Sequence, residues 1–203
     1  MSSLLSPFRW VWLLSIAAGL SACSILPESL PQDIYRLPPS SIGMSQGEPV
    51  DTSLRINRPL ASDLLSSTRI VVVPEGNRIS VYQGARWSSP ATVLWREHLL
   101  DAFHNDGRIT QLSSSVARLR AEFELGGVLR AFQVEYHAGE AEVVIRLDAH
   151  LVYTASKQTI ASRRFSVMEE VNGEQVPAVV EAFGRANDAL ARELIDWTLQ
   201  YVK

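Results

Sequence analysis

The clearest pattern along the chain is a regular alternation of apolar and polar residues in its second half. From Ala141 to Tyr153 every odd position is apolar, and most even positions are polar or charged. A period of two predicts a β-strand with one buried and one solvated face. Apolar segments over 122–137 and 160–168 flank this strand, with turn-forming residues between them. We therefore predict three long consecutive strands in an antiparallel meander.

Two further features of the strand pattern can be placed from the sequence. The β-branched run over 68–74, a turn at 75–77 and the alternating run over 78–82 predict a hairpin. In the first long strand the apolar phase shifts around Gly126-Gly127, and paired glycines within a strand indicate a bulge or a bend there.

Two segments instead show the helical period. The first begins at Pro90, carries an apolar stripe to Phe103 and is stopped by the Asn105-Asp106-Gly107 turn. The second begins near Pro177 and keeps an apolar stripe to Tyr201. The sequence thus predicts an α+β fold, with an antiparallel sheet and two helices packed on one of its faces. His98 lies within the first stripe, where we expect a hydrogen-bonded core histidine rather than a ligand or a catalytic base.

The N-terminus has a different character. Arg9 precedes an apolar run over 10–20, which is too short to cross a bilayer because a spanning helix needs about 20 residues. Its length and flanks are typical of a secretory signal. The run ends in Leu20-Ser21-Ala22-Cys23, which resembles the lipobox of bacterial lipoproteins. That resemblance implies a diacylglycerol on the Cys23 thiol, cleavage before Cys23, and acylation of the new amino terminus by a fatty acid such as palmitate.

Other interpretations of Cys23 are a plain signal peptide with a nearby cysteine, or an uncleaved anchor. Cys23 is the only cysteine, so the chain has no disulfide framework and no thiolate metal cluster. Ser24, rather than an aspartate, follows it. By the sorting rule of enterobacterial lipoproteins, this predicts lipid anchoring in the outer membrane, facing the periplasm.

These patterns divide the chain into three parts. We predict a lipoprotein signal peptide over 1–22, then Cys23 and a flexible tether rich in Pro, Ser and Gly over 23–50, and one folded domain over 51–203. Within the tether, the segment 34–37 could pair as a short strand. The net charge of −3 argues against nucleic acid as a partner, because nucleic acid requires clustered positive charge.

Candidate chemistry is sparse. The sequence has no Gly-x-Ser-x-Gly, phosphate-loop or His-Glu-x-x-His motif, and the spacing of its four histidines gives no reason to expect convergence on a metal. We therefore expect no catalytic residues, metal or cofactor. Tyr82, Arg86 and Trp87 lie between hairpin and helix, and such residues are typical anchors of a protein interface. The alternative is that Trp87 fixes the start of the helix in the core.

Two long stretches, 58–103 and 144–197, resemble the ABC-type transport auxiliary lipoprotein family, which includes the paraquat-inducible lipoproteins. The matching features are Arg58-Pro59-x-Ala61, Thr68-x-Ile70, Ala85-Arg86-Trp87, the segment IASRRF and Ala182-Phe183-x-x-Ala186 continuing to Trp197. The resemblance implies an accessory protein rather than an enzyme. It would serve a system built from an ABC ATPase, a permease and an MCE-domain tunnel protein that moves hydrophobic molecules between membranes. It also implies a homo-oligomeric ring.

Three hypotheses follow for the function. The first is an outer-membrane lipoprotein that docks the MCE tunnel of an ABC-type lipid transporter. The second is a lipid-binding shuttle or chaperone, which would hold one lipid in a pocket between the sheet and the helices. The third and weakest is a periplasmic hydrolase, because no pair of nucleophile and base is visible.

Overall fold

The computed structural model describes residues 31–117, 119–173 and 175–202, so the predicted signal peptide and Cys23 lie outside the described residues. The compact unit begins at Gln32. In chain order, the strands are β1 Asp33–Tyr35, β2 Val50–Ile56, β3 Leu60–Ala61, β4 Arg69–Glu75, β5 Arg78–Trp87, β6 Ile109–Ser114, β7 Phe123–His137, β8 Glu140–Tyr153 and β9 Gln158–Glu170. The helices are α1 Ala91–Asp106 and α2 Val176–Leu199.

The sheet is organised around the long strand β7. β7 and β8 pair antiparallel along their whole lengths, from Phe123 opposite Tyr153 to His137 opposite Glu140. β8 in turn pairs antiparallel with β9. The predicted meander is therefore confirmed. The odd positions of β8 from 143 to 151 are at most 3% exposed, as the alternation predicts.

The opposite edge of β7 is paired in parallel, which makes the sheet mixed rather than purely antiparallel. Leu54 of β2 lies opposite Phe123, Val71 of β4 lies opposite Gln133, and β3 pairs with β7 between them. The chain from 50 to 75 follows β7 in the same direction, so each pairing is parallel. Parallel strands need a long crossover, and the segment that contains β5, α1 and β6 supplies it.

The glycine pair in β7 does not form the predicted bulge. The register shift comes later, between Leu129 and Ala131, whereas Gly126 and Gly127 keep regular pairing with β8. A Cβ atom at position 127 would lie only 2.4 Å from the carbonyl oxygen of Asp148. The glycines therefore permit a close approach of two strands, the other common reason for glycine inside a sheet.

Both helices pack on one face of the sheet, and α2 contributes to an aromatic cluster there. Phe132 of β7 stacks on Phe183 of α2 with ring centroids 4.6 Å apart. Trp87 meets both rings edge-on, at 6.1 and 5.1 Å. The predicted end of α1 is confirmed at Gly107, whose left-handed φ of 78° lets its N–H donate to the carbonyl of Phe103. These contacts confirm the α+β class.

The predicted flexible tether over 23–50 requires a correction for its described residues from Gln32 onward. Asp33–Tyr35 forms β1 and pairs in parallel with β5, and the segment after it makes specific contacts with both helices. The folded unit therefore starts at Gln32 instead of residue 51. Proline removes sequence periodicity, but it does not prevent binding through individual side chains and carbonyl groups. The short strand expected within 34–37 is confirmed for Ile34 and Tyr35.

Within the described ranges, no helix combines the length and the apolar character needed to span a bilayer.

Candidate functional site

The three residues predicted as a partner contact do not form one exposed surface. All three lie on β5 rather than on a loop. Trp87 is completely buried, so its assignment as a surface anchor is wrong, and the alternative in which it packs into the core is confirmed. A bulge at Gly84, where φ is 70°, separates Tyr82 from Arg86. Tyr82 and Arg86 are both half-buried, and their role in partner binding stays a prediction.

The environment of the Tyr82 hydroxyl group disfavours its ionised form. Burial first, and then a hydrogen bond with Tyr136, raise the pKa of Tyr82 far above its ordinary value. The phenol is therefore neutral at physiological pH.

A better defined cluster is built by the N-terminal segment 33–42, which we call the strap. It begins as β1, with Asp33 opposite Ala85 and Tyr35 opposite Trp87. The N–H of Ser88 donates to the carbonyl of Tyr35 at 2.7 Å, which extends the pairing by one residue. The matched feature Ala85-Arg86-Trp87 therefore serves as the pairing surface of the strap.

On α1, His98 holds the middle of the strap. Its Nδ1 lies 3.1 Å from the carbonyl oxygen of Pro38, and its Nε2 lies 3.0 Å from Oδ1 of Asp188 on α2. His98 is 4% exposed, which confirms the predicted hydrogen-bonded core histidine. Both neighbouring atoms are hydrogen-bond acceptors, so the ring of His98 links the strap to α2.

On α2, the carboxylate of Asp188 accepts the hydrogen bonds that the strap donates. The hydroxyl of Ser40 donates to Oδ1 at 2.7 Å, the backbone N–H of Ser41 donates to Oδ2 at 3.0 Å, and the hydroxyl of Ser41 also donates to Oδ2. Burial by itself would raise the pKa of Asp188. The hydrogen bonds from Ser41 and Ser40, with the nearby imidazole of His98, outweigh burial and hold this pKa below its usual range.

The same face of α2 makes room for the strap one turn earlier. Gly184 lies four residues before Asp188, so the two positions share one helix face. A Cβ atom at position 184 would come within 2.9 Å of two ring carbons of Pro38. Gly184, Asp188 and His98 together form a seat for the strap, built from both helices.

The seat contains serine, histidine and aspartate, but not in the order that acyl transfer requires. In a catalytic triad the serine hydroxyl donates to the histidine and the histidine donates to the aspartate. Here both serine hydroxyls donate directly to Asp188. The arrangement therefore holds a segment of chain. Among the residues that the structure describes, no group of three or more His, Cys, Asp or Glu side chains is placed to hold a metal ion.

The strap and the helices border an open groove of about 590 Å³, which we call the strap groove. The strap forms one wall. Leu94 of α1 and Val180 of α2 contribute apolar surface, and the carboxylates of Glu97, Asp101 and Glu181 also line it. The groove is therefore amphipathic, with an apolar lining beside acidic groups.

The sheet carries a second polar cluster, on β7, β8 and β9. Asp148 accepts hydrogen bonds from Arg164 at 2.5 Å and from Arg130 at 2.8 Å. These two guanidinium groups, Arg164 first, hold the pKa of Asp148 well below its usual range. The cluster is exposed, so its ion pairs contribute little to the free energy of unfolding.

Comparison with known protein families identifies the family to which this chain belongs. The profile of the family described as the ABC-type transport auxiliary lipoprotein component matches residues 35–195, from the strap into the last turns of α2. The chain belongs to this family. It is a family of accessory lipoproteins of ABC-type transport, not a family of enzymes.

Two crystal structures share this fold, and a further relative matches in sequence. The crystal structure of protein XCC0632 from Xanthomonas campestris is 29% identical, with a TM-score of 0.76, covering 82% of this chain and 94% of that one. A crystal structure of an uncharacterized protein, 15% identical with a TM-score of 0.66, covers 83% of this chain and 99% of that one and shows the same fold. The uncharacterized protein bll6063 of Bradyrhizobium diazoefficiens is 29% identical over 162 residues, which are 79% of this chain but only 43% of that relative.

Proposed function

We propose that this protein is an outer-membrane lipoprotein that docks the MCE-domain tunnel protein of an ABC-type lipid transporter. The observation that carries the proposal is the family match over residues 35–195, together with the lipobox that ends at Cys23. Acylation at Cys23 would supply the membrane anchor, because several buried acyl chains bind far more firmly than one. The described domain would supply the surface for the partner.

The strap supports a specific geometry for this role. Because residues from Gln32 onward belong to the compact unit, only residues 24–31 separate it from the anchored cysteine. Eight residues span at most about 30 Å when fully extended. The domain would therefore be held close to the membrane surface, where the end of a tunnel from the opposite membrane would arrive.

A homo-oligomeric ring is the second part of the proposal. β9 pairs only with β8, so its other edge, thirteen residues long, has no strand partner among the described residues. Open edges are templates for pairing with another chain. Chemical crosslinking of the full-length protein in membranes, followed by mass measurement, would show a fixed number of copies if the ring exists.

The shuttle hypothesis finds less support in the packing. The space between the sheet and α2 is filled by stacked rings such as Phe132 and Phe183, and the strap groove lies open at the surface. Native mass spectrometry of the purified protein would decide. A stoichiometric lipid that survives removal of the membrane would favour the shuttle over the docking role.

Partner capture tests the proposal directly. The protein would carry a C-terminal tag and keep Cys23; cells would be crosslinked, and the membrane proteins bound to it would be identified by mass spectrometry. We expect an MCE-domain protein with its permease and ATPase. Repeated recovery of the protein alone, or with an unrelated envelope complex, would contradict the docking role.

A further inference from the structure

The strap groove is open at the surface, whereas the predicted contact residues on β5 are buried or half-buried. Trp87 is buried, and Tyr82 and Arg86 are half-buried. At the groove, by contrast, Ile34 of the strap is 56% exposed and lies in the same cavity as Leu94 and Val180. A cavity of about 590 Å³ falls within the range of sites that hold a small molecule or a few side chains of a partner.

The charge around the groove is unbalanced. Three carboxylates line it, from Glu97, Asp101 and Glu181, against one guanidinium, from Arg36. Glu97 is paired with its neighbour Arg96. Asp101 and Glu181 form no ion pair within the described part of the chain, and both are exposed. They stand on different helices, so both helices present negative charge to the groove.

We propose that the strap groove binds a cationic amphipathic segment of the periplasmic transporter protein. This proposal rests on the docking function proposed above and names its surface. Apolar side chains of the segment would cover Leu94 and Val180, while its lysine or arginine groups would face Asp101 and Glu181. Such complementarity gives specificity and speeds association.

Residues 24–31 of the chain itself do not have the charge that this groove would favour. Residues 24–31 contain no lysine or arginine, and their one charged side chain is Glu28. A carboxylate brought beside Asp101 and Glu181 would be repelled. The occupant with the matching charge is therefore another molecule with a basic segment.

One residue that binds the strap, His98, also lines the strap groove. His98 lines the groove and at the same time binds the carbonyl of Pro38 and the carboxylate of Asp188. If the strap left its seat, the groove would lose one wall. The order of the strap and the affinity of the groove should consequently be linked.

The test uses charge reversal on the full-length lipoprotein. The Asp101→Lys/Glu181→Lys variant removes both free carboxylates, and Asp101→Asn/Glu181→Gln removes their charge at nearly constant size. Glu193→Lys reverses a charge on α2 at a residue that does not line the groove, and it also removes the exposed ion pair of Glu193 with Arg163. Thermal unfolding verifies that each variant is folded, and the neutral variant replaces the reversed one if the latter is not.

Two readouts are measured with these variants. The first is recovery of the MCE-domain protein after crosslinking in cells. The second is binding of a fluorescent Leu/Lys amphipathic peptide, with its Leu/Glu counterpart as a control, to the purified protein. Because exposed charge pairs contribute modestly, we expect the charge-reversed variant to bind the basic peptide about tenfold more weakly. We expect Glu193→Lys to bind it like the natural protein.

The outcomes separate the two proposals. If the natural protein recovers the MCE partner and the charge-reversed variant recovers it equally, the groove proposal is wrong and the docking function stands. If the natural protein recovers no MCE partner, the docking function fails, and the peptide experiment still decides whether the groove prefers basic segments. Equal binding of both peptides would refute that preference. Loss of self-association in the variant, with peptide binding unchanged, would identify a second copy as the occupant and overturn the proposal.

Discussion

Replacing Asp188 with alanine gives the most informative perturbation of the strap. The change leaves the Nε2 hydrogen of His98, two serine hydroxyls and the N–H of Ser41 without their acceptor. Asp188 is 5% exposed and His98 is 4% exposed. Leaving a buried donor without its acceptor costs about 1–3 kcal/mol. Because several donors lose their acceptor at once, while Ser41 is exposed and reaches water, we expect a loss of about 3 kcal/mol in the free energy of unfolding.

Urea unfolding followed by tryptophan fluorescence measures this loss, and hydrogen exchange at the N–H of Ser88 reports on the strap itself. That N–H donates to Tyr35, so it should exchange faster once β1 is no longer held. Asp196→Ala is the matched control. Asp196 is also on α2 and binds Arg108 at 2.9 Å, but its side chain is 65% exposed, so its loss should cost at most about 1 kcal/mol.

The difference between the natural protein and Asp188→Ala should depend on pH. The folded-state pKa of Asp188 is lowered, so its carboxylate contributes stability that is complete above its unfolded-state pKa, about 4. That contribution disappears as the pH falls through the lowered value. A difference below about 0.5 kcal/mol at pH 7, with unchanged exchange at Ser88, would refute the view that this carboxylate holds the strap.

Three further predictions concern other parts of the chain. Gly127→Ala should prevent regular pairing of β7 with β8, because the new Cβ atom would lie 2.4 Å from the carbonyl oxygen of Asp148. Circular dichroism should show an unfolded or strongly destabilised protein. A stable variant would contradict this account. Trp87→Ala should lower the free energy of unfolding in urea by about 3–5 kcal/mol, because the ring lies in a packed core. Trp87→Phe should lower it clearly less. A small loss for Trp87→Ala would mean that the ring is dispensable there. Cys23→Ala should leave the protein unlipidated, still folded and unable to complement a deletion, as judged by fractionation and envelope permeability, whereas full complementation would show that anchoring is dispensable.

Much of the sheet and both helices could be predicted because their signals are local. The alternation from Ala141 to Tyr153 and the stripe of α2 repeat at the period of the backbone, so each segment defines its own buried face. The predicted stop at Gly107 also depends only on neighbouring residues.

The parallel pairing of β2 and β4 with β7 was not predictable in this way. It joins segments about 60 to 70 residues apart, and nothing within either strand specifies the direction of its neighbour. The same holds for Trp87, an aromatic residue whose burial depends on Phe132 and Phe183 from two other elements.

The candidate site also combines parts that local sequence predicts with parts that depend on long-range contacts. Local sequence signals specify the apolar segment that ends at Cys23 and the amphipathic helices that carry His98 and Asp188. The strap at 33–42 depends instead on long-range contacts, because its hydrogen bonds join Ser41 to Asp188 across 147 residues. A proline-rich segment has no periodic pattern of its own, so its conformation is set by the donors and acceptors of the surface on which it lies.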